Sequence, residues 1–351
     1  MVVTNNYESI TSSIAALVFS QVAAWGGSAG ESNLTTSLTN VIAMAAGAPG
    51  YCLALAGGNS VPIGWPTPYF EYGFRSSNNF VAIVSPDQAI ELGANGLVYN
   101  EFGLIRGFTN IFAITPNLYQ YLFLQANGVA VMDYNRSVLS NVVSIAQGAA
   151  HSMALLQNGT VIAWGNNYYG QTNIPAGLTN VIAIAAGYYH SMALVSSGIV
   201  VSWGMGQYGQ TNVPADLTNV VAIAAGAYHS LALKRDGTVV SWGFNNYGQT
   251  NVPSGLTNVI AIAGGEDDGL ALIGNGPPVL QVPLINLIGT TNQFSVSLPT
   301  QSGRVYSLQY KNSLADSNWL ALPLTAGNGN TVILTDLGAT NSQRFYRVQQ
   351  W

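Results

Sequence analysis

A 39-residue period constrains this chain more than any other feature. Trp164, Trp203 and Trp242 stand 39 apart, each followed by glycine, and Asn180, Asn219 and Asn258 keep the same step. Each of these asparagines opens an apolar Val-(Ile/Val)-Ala-Ile run. Carried backwards, the mark falls at Asn141, Asn110, Asn79 and Asn40, so the steps from Asn40 are 39, 31, 31, 39, 39 and 39. The short steps lack eight residues: Asp133 occupies the tryptophan position 8 before Asn141, whereas Trp164 is 16 before Asn180. The missing stretch is the Tyr-Gly-Gln-Thr-Asn-Ile-Pro loop, and the apolar runs are spared. A fixed period of roughly 20–50 residues marks solenoids, propellers and repeat arrays.

One unit can be read from Asn219 to Thr257. Residues 220–224 are apolar and β-branched, a buried strand; 226–229 are a turn; 230–233 are a second strand. Lys234-Arg-Asp-Gly237 carries the Asp-Gly signal of a tight hairpin, and 238–242 form a third strand. A loop follows over 243–249, then a fourth extended segment over 250–253, whose proline suits a sheet edge. Four short strands in each of seven units predict an all-β, seven-bladed propeller. The last unit stops after its second strand at 269–273, and residues 21–26 (Gln-Val-Ala-Ala-Trp-Gly) read as the missing third strand. Closing the disc with them would remove exposed sheet edges. Residues 13–17 also resemble a second strand and compete for the place of 269–273.

The period disappears after Pro277-Pro278. Residues 293–298, 304–310, 331–335 and 344–348 alternate like strands, which predicts a propeller over 1–276 and a small β-sandwich-like module, of immunoglobulin or fibronectin type, over 277–351. Glycine and proline at 274–278 suit an exposed linker, at which proteolysis should part the two. Residues 1–276 hold 12 acids and 5 bases, and 277–351 hold 2 acids and 4 bases.

Composition narrows the function. Charged residues make up 7% of the chain, against about 25% for an ordinary soluble domain. That argues against disorder and against long solvated helices. A net charge of -5 with nine basic residues argues against a phosphate-binding surface, so no nucleic-acid partner is expected. Cys52 alone excludes an internal disulfide and a multi-cysteine metal site. The most apolar stretch, residues 41–56, is broken by Gly47, Pro49 and Gly50 and is too short to span a bilayer. The expectation is a monomer with no cofactor, no metal and no membrane insertion. The N-terminal residues have no basic region of the signal-peptide kind.

The repeat motifs Ala-Ala-Gly-x-x-His-Ser-x-Ala-Leu, x-Asp-Gly-Thr-Val-x-x-Trp-Gly and Tyr-Gly-Gln-Thr-Asn-Val-Pro resemble the RCC1-type propeller repeat, over about residues 20–275. The Gly-Gln-Thr-x-Val-Pro segment and the Val-Ala-Ala-Trp-Gly-Gly start are most similar to the bacterial branch that contains the propeller-type (type II) β-lactamase inhibitory proteins. The resemblance implies protein binding through loops on one face of the disc. It also brings in β-lactamase inhibition, guanine-nucleotide exchange on small GTPases, and a structural cell-surface role as alternatives. Two lysines, many Asn and Thr residues and an appended sandwich-like module resemble secreted bacterial repeat proteins, hence the expectation of an extracellular or cell-surface protein.

Catalytic constellations are not evident. His151, His190 and His229 share one repeat position, with Tyr51 and Tyr121 at the matching place in earlier units, so they read as packing or hydrogen-bonding devices. Ser152, Ser191 and Ser230 each follow a repeat histidine, and neighbours on a strand point to opposite faces. Cys52 replaces that serine as a small buried residue. Gly204-x-Gly-x-x-Gly209 precedes Gln-Thr-Asn-Val-Pro, not the helix a phosphate loop needs. Glu266-Asp267-Asp268 reads as a solvated turn, with calcium or a basic partner as the other options, though calcium usually takes about 6–8 oxygen ligands.

The meander places the turn after strand one and the loop after strand three on one face, and the Asp-Gly turn on the other. Tyr169, Tyr208 and Tyr247 on the first face repeat strictly and read as framework. Tyr168, Tyr188, Tyr189, Met205, Tyr228 and Phe244 are the candidate protein-binding residues, with Asn166, Asn167, Asn245 and Asn246 among them. Aromatic residues among amides are typical of recognition surfaces. The reading is a non-enzymatic protein-binding propeller.

Overall fold

The computed structural model describes residues 138–274 without a break. It also describes 2–4, 9–10, 21–27, 34–36, 41–46, 52–56, 59–63, 80–84, 90–93, 96–100, 103–105, 107–116, 121–125, 127–132, 285–289, 293–300, 305–313, 315–316, 319–327, 331–339 and 344–350. The places of Asn40, Tyr51, Asn79, Asp133, residues 13–17 and 275–284 lie outside these residues. Among the described residues every regular element is a strand.

Each complete repeat forms one antiparallel meander. Val181–Ala186, His190–Val195 and Val200–Gly204 make one sheet, and Val220–Ala225, His229–Lys234 and Val239–Gly243 make the next. Every asparagine that marks the period within the described residues, Asn110, Asn141, Asn180, Asn219 and Asn258, has φ between 56° and 59°. That is the left-handed region, which asparagine tolerates far better than a branched residue. The turn it makes delivers the first strand to the hairpin of the preceding repeat: Val181 N donates to Gly159 O and Val259 N to Gly237 O.

The expected fourth strand is not a strand in the three complete repeats, whose sheets stop at three. Residues 250–253 turn instead of pairing: Val252 N donates to Thr250 O and Leu256 N to Pro253 O. Pro253 has no N–H to give a ladder, so local turns satisfy the backbone. Where the loop is deleted, a fourth strand does form: Val138–Leu139 pairs with Ala130–Met132.

The sheets pack through their first strands in a closed cycle. Val41–Ala46 touches Phe80–Val84, and the sequence of contacts runs on through Ile111–Pro116, Val142–Gln147, Val181–Ala186, Val220–Ala225 and Val259–Gly264 back to Val41–Ala46. Ile182, Met192, Leu194, Val220, Leu231, Trp242 and Val259 share one buried cluster, so the core lies between sheets. Gln21–Gly26 pairs with Asp268–Ile273 along six residues, Gly269 opposite Trp25, and Leu34–Thr36 pairs outside it.

A latch joins neighbouring repeats. Gln171 is fully buried; its backbone oxygen accepts from Trp203 Nε1 at 2.9 Å and from Ser191 Oγ at 2.8 Å. Gln210 does the same for Trp242 Nε1 and Ser230 Oγ. Trp25 Nε1 donates to Gln249 O at 3.0 Å, so the N-terminal strand takes the socket a repeat tryptophan would take. Trp164 Nε1 has no partner among the described residues; the repeat before it lacks the eight-residue stretch that carries the glutamine.

Two further sheets follow the repeats. Phe294–Pro299 pairs with Ile285–Gly289 and Thr331–Asp336, and Val305–Lys311 pairs with Phe345–Gln350. Phe294, Val296, Leu298, Tyr306, Leu308, Leu334 and Tyr346 from both sheets form one core. Asp336, buried there, pairs with Arg344 and accepts from Tyr346 Oη. Two features escape the sequence reading. Val2–Thr4, placed there with the propeller, pairs with Phe345–Gln350, so both ends of the chain meet in one sheet. In addition, Val305, Leu324 and Ala326 pack into the same cluster as Val200 and Leu217 of the repeats, and Leu324 N donates to Ser196 O. A single proteolytic cut within 275–284 is therefore expected to leave two fragments that co-elute on size exclusion under native conditions and separate only in denaturant. Release of the C-terminal fragment in native buffer would contradict these pairings.

Candidate binding face

The turn after strand one and the loop after strand three are hydrogen-bonded to each other in four successive sheets. Met205 N donates to Tyr189 O, Phe244 N to Tyr228 O, Asn166 N to Ala150 O and Gly27 N to Asp267 O, all at 2.8–2.9 Å. Successive turns are also joined: Tyr188 N donates to Ala227 O and Ala149 N to Tyr188 O. These bonds place both segments on one face, as the meander requires.

Buried histidines hold this face from beneath. Ser191 Oγ spends its single proton on Gln171 O, so its contact with His151 Nε2 at 3.0 Å must be one in which the imidazole donates. The same reasoning makes His190 Nε2 the donor to Ser230 Oγ. At the next step position 269 is glycine, and a Cβ there would lie 2.4 Å from the Trp25 ring. Gly148, Gly187 and Gly226 are required by the rings themselves, because a Cβ on each would fall within 2.3 Å of the imidazole Cε1. Burial pushes His151 down to about 4 and His190 to about 3, the latter also through its two neighbouring histidines. Burial lowers His229 to about 4 against a smaller opposing pull from the Asp268 backbone. All three are neutral at pH 7; His151 and His190 serve as structural donors, whereas neither ring nitrogen of His229 has a hydrogen-bond partner among the described residues.

The glutamine latch also fixes the loop. Tyr169 N, Tyr208 N and Tyr247 N each donate at 2.9 Å to the side-chain oxygen of Gln171, Gln210 and Gln249. The amides that the sequence reading placed on the surface are largely used within the loops: Asn167 Nδ2 donates to Asn173 Oδ1 and Asn245 Nδ2 to Asn251 Oδ1.

On this base stands a continuous belt of rings. Tyr168 meets Tyr169 at 4.9 Å, Tyr169 meets Tyr189 at 5.3 Å, and Tyr188 meets Tyr228 at 5.7 Å. Tyr228 meets Tyr208 at 5.3 Å, Tyr208 meets Phe244 at 5.0 Å, and Phe244 meets Tyr247 at 6.1 Å. Most pairs are tilted or edge-on, the geometry aromatic quadrupoles prefer. Tyr168 is 83% exposed, and Tyr208 and Tyr247 are each 46% exposed; Tyr188, Tyr189, Tyr228 and Phe244 are half-buried. Burial raises the Tyr228 hydroxyl above its ordinary value, helped by Tyr189, Tyr208 and Glu266, so it stays protonated.

One candidate does not belong to the surface. Met205 is only 6% exposed, because its flexible apolar chain is better packed than hydrated. Tyr169, Tyr208 and Tyr247, read as framework, are part of the exposed belt; their strict repetition reflects the glutamine that holds their backbone, while their rings remain outside. The three carboxylates at 266–268 do not converge: Asp268 is 5% exposed at the start of a core strand. No group of three metal-ligating side chains forms among the described residues, and no helix follows Gly204-x-Gly-x-x-Gly209.

Residues 142–171, 181–210 and 220–249 match the family described as "Regulator of chromosome condensation (RCC1) repeat". No curated protein matches the chain. Its fold is similar to that of Prp20p from Saccharomyces cerevisiae, at 18% identity and a TM-score of 0.59 over 74% of this chain and 92% of that one. Human WBSCR16 is similar at 14% identity and a TM-score of 0.55, over 72% of this chain and 99% of the other. The ectodomain of the receptor kinase CR4 from Physcomitrella patens has 18% identity and a TM-score of 0.53, over 87% and 94%. The Prp20p study concerns its binding to Gsp1p and histones.

Proposed function

We propose that this RCC1-type repeat propeller is a non-enzymatic, monomeric protein-binding module of seven blades with an appended sandwich-like unit, and that it binds its partner through the aromatic belt. The observation that carries this reading is the belt itself: rings from three repeats, held by buried glutamine and histidine latches, with Tyr168, Tyr188, Phe244 and the tyrosine of each loop turned partly to solvent. A framework needs the latch but not rings at positions 168, 188 and 244, which differ from repeat to repeat. Rigid aromatic side chains give large contact area at low entropic cost. The similarity to Prp20p, studied with protein partners, supports the same class of role. The low lysine content and the appended unit support a place outside the cell.

A second reading, inhibition of a class A β-lactamase, is favoured by the Gly-Gln-Thr-Asn-Val-Pro loops. One experiment addresses both. The immobilised full-length protein is offered a cell extract and, separately, a class A β-lactamase, alongside the Tyr188→Ala/Tyr189→Ala variant. The specific partner is expected to be lost from the variant, since anchors of this kind are each worth about 2 kcal/mol or more on truncation. Unchanged capture by a folded variant would remove the belt from consideration, and an unbound β-lactamase would remove the second reading.

A further inference from the structure

The aromatic belt ends on carboxylates. The turn position that carries Ala150, Tyr189 and Tyr228 in three successive repeats carries Asp267 in the next. The position before it carries Ala149, Tyr188, Ala227 and then Glu266. The line of rings and the two acids are continuous, since Glu266 is among the groups that raise Tyr228 and its backbone oxygen accepts from Ala227 N. Both acids are half-buried. Among the described residues Asp267 accepts a long 3.4 Å bond from the neutral Gln249 amide, and burial pushes its carboxyl above the usual range.

Within residues 138–274 the lysine and the arginine lie on the other side. Between residues 138 and 274 the only basic residues are Lys234 and Arg235. Both sit in the hairpin turn at the far end of the strands, where Lys234 pairs with Asp236 at 3.4 Å and Arg235 N donates to Asn219 O. An anionic partner on the belt would meet two like charges. A purely apolar partner would bury those carboxylates further and bring no charge of its own, which is costly. A cation gains twice: over the tyrosine faces, through the ring quadrupole, and at Glu266 and Asp267, through charge.

On the reading that the belt is the protein-binding face, we infer that its partner presents a basic segment, arginine before lysine, whose side chains lie across Tyr189, Tyr208 and Tyr228 and end on Glu266 and Asp267. Arginine is favoured because its guanidinium is planar, weakly hydrated and stacks on aromatic rings.

The test uses the full-length protein and fluorescently labelled, acetylated peptides in which glycine alternates with arginine, lysine, glutamate or serine, read by anisotropy at about 0.05 and 0.3 M salt. The arginine peptide is expected to bind most tightly and the lysine peptide several-fold more weakly, with glutamate and serine peptides not binding. Glu266→Gln with Asp267→Asn, which keeps shape and removes charge, should weaken the arginine peptide about tenfold or more. Tyr208→Leu, on an exposed loop, should weaken it several-fold, with the melting temperature confirming that each variant is folded. Equal binding of the serine or glutamate peptide, or arginine binding undiminished in both variants, would overturn the inference. If tyrosine substitutions abolish partner capture while the peptides show no charge preference, the cationic assignment fails and the binding face stands. If they leave capture intact, it is the face that fails.

Discussion

Deleting Gln21–Gly26 is expected to abolish cooperative folding of the repeats, the largest effect of any short change in this chain. The segment pairs along its whole length with Asp268–Ile273 and carries Trp25, which is 1% exposed and packs in the main core. Without it, the sheet ending at residue 273 would show an open edge, the Gln249 carbonyl would lose the Trp25 donor, and Gly269 would face a cavity. Trp25→Ala alone should cost about 3–5 kcal/mol, as truncation of a large core residue does. Removing the strand adds its ladder and its neighbours, a loss comparable with the whole stability of a typical domain, about 5–15 kcal/mol. Near-ultraviolet circular dichroism and denaturant titration would read both. A deletion variant that kept its melting temperature would show that the cycle of sheets does not depend on this strand.

Acid should destabilise the protein through its three buried histidines. Their folded-state values, about 4, 3 and 4, lie below the ordinary 6.5, so the unfolded chain takes up protons first as pH falls. The neutral rings contribute fully above pH 6.5. That stability is lost progressively below 6.5, until the folded values are passed near pH 4 to 3. One pH unit on one group is worth about 1.4 kcal/mol, so each histidine should cost about 2 kcal/mol by pH 5 and the three together about 6 kcal/mol. Asp267, raised by burial, acts in the opposite direction but titrates as a single group. Denaturant midpoints at neutral pH and at pH 5 would measure the loss. Substitution His190→Gln should lower stability at neutral pH while reducing the acid slope, whereas an unchanged slope would mean that the carboxylates govern it.

The sequence makes some levels of this structure easy to read and hides others, for physical reasons. The period is visible because successive repeats reuse the same parts: an asparagine at positive φ, a buried histidine, and, at Trp203 and Trp242, an indole that finds a glutamine carbonyl. The face of the belt follows from the meander alone. Met205 was misleading because its position is variable and its side chain could go either way; only the packing decides. Tyr208 shows the reverse, a strictly repeated residue whose backbone is structural and whose ring is not. The missing fourth strand could have been anticipated from Pro253 and its equivalents, Pro175 and Pro214, which deny the ladder a donor. Val2–Thr4 carries no comparable signal: three residues are too few for alternation to be recognised, and their partner lies in a part of the chain with no period.

The pairing of Gln21–Gly26 with Asp268–Ile273 has a consequence for biosynthesis. A ribosome makes one member of this pair about 245 residues before the other, and at roughly 5–20 residues per second the first must wait on the order of ten seconds or more. During that interval an apolar edge strand with an unburied tryptophan is available to any neighbouring nascent chain. The intervening repeats can meanwhile form their local hairpins, so closing the cycle of repeat sheets is left to one long-range pairing, of the kind that slows folding most. Expression level should therefore respond to translation speed and to chaperones that shield the first strand, more than to changes in the repeats themselves.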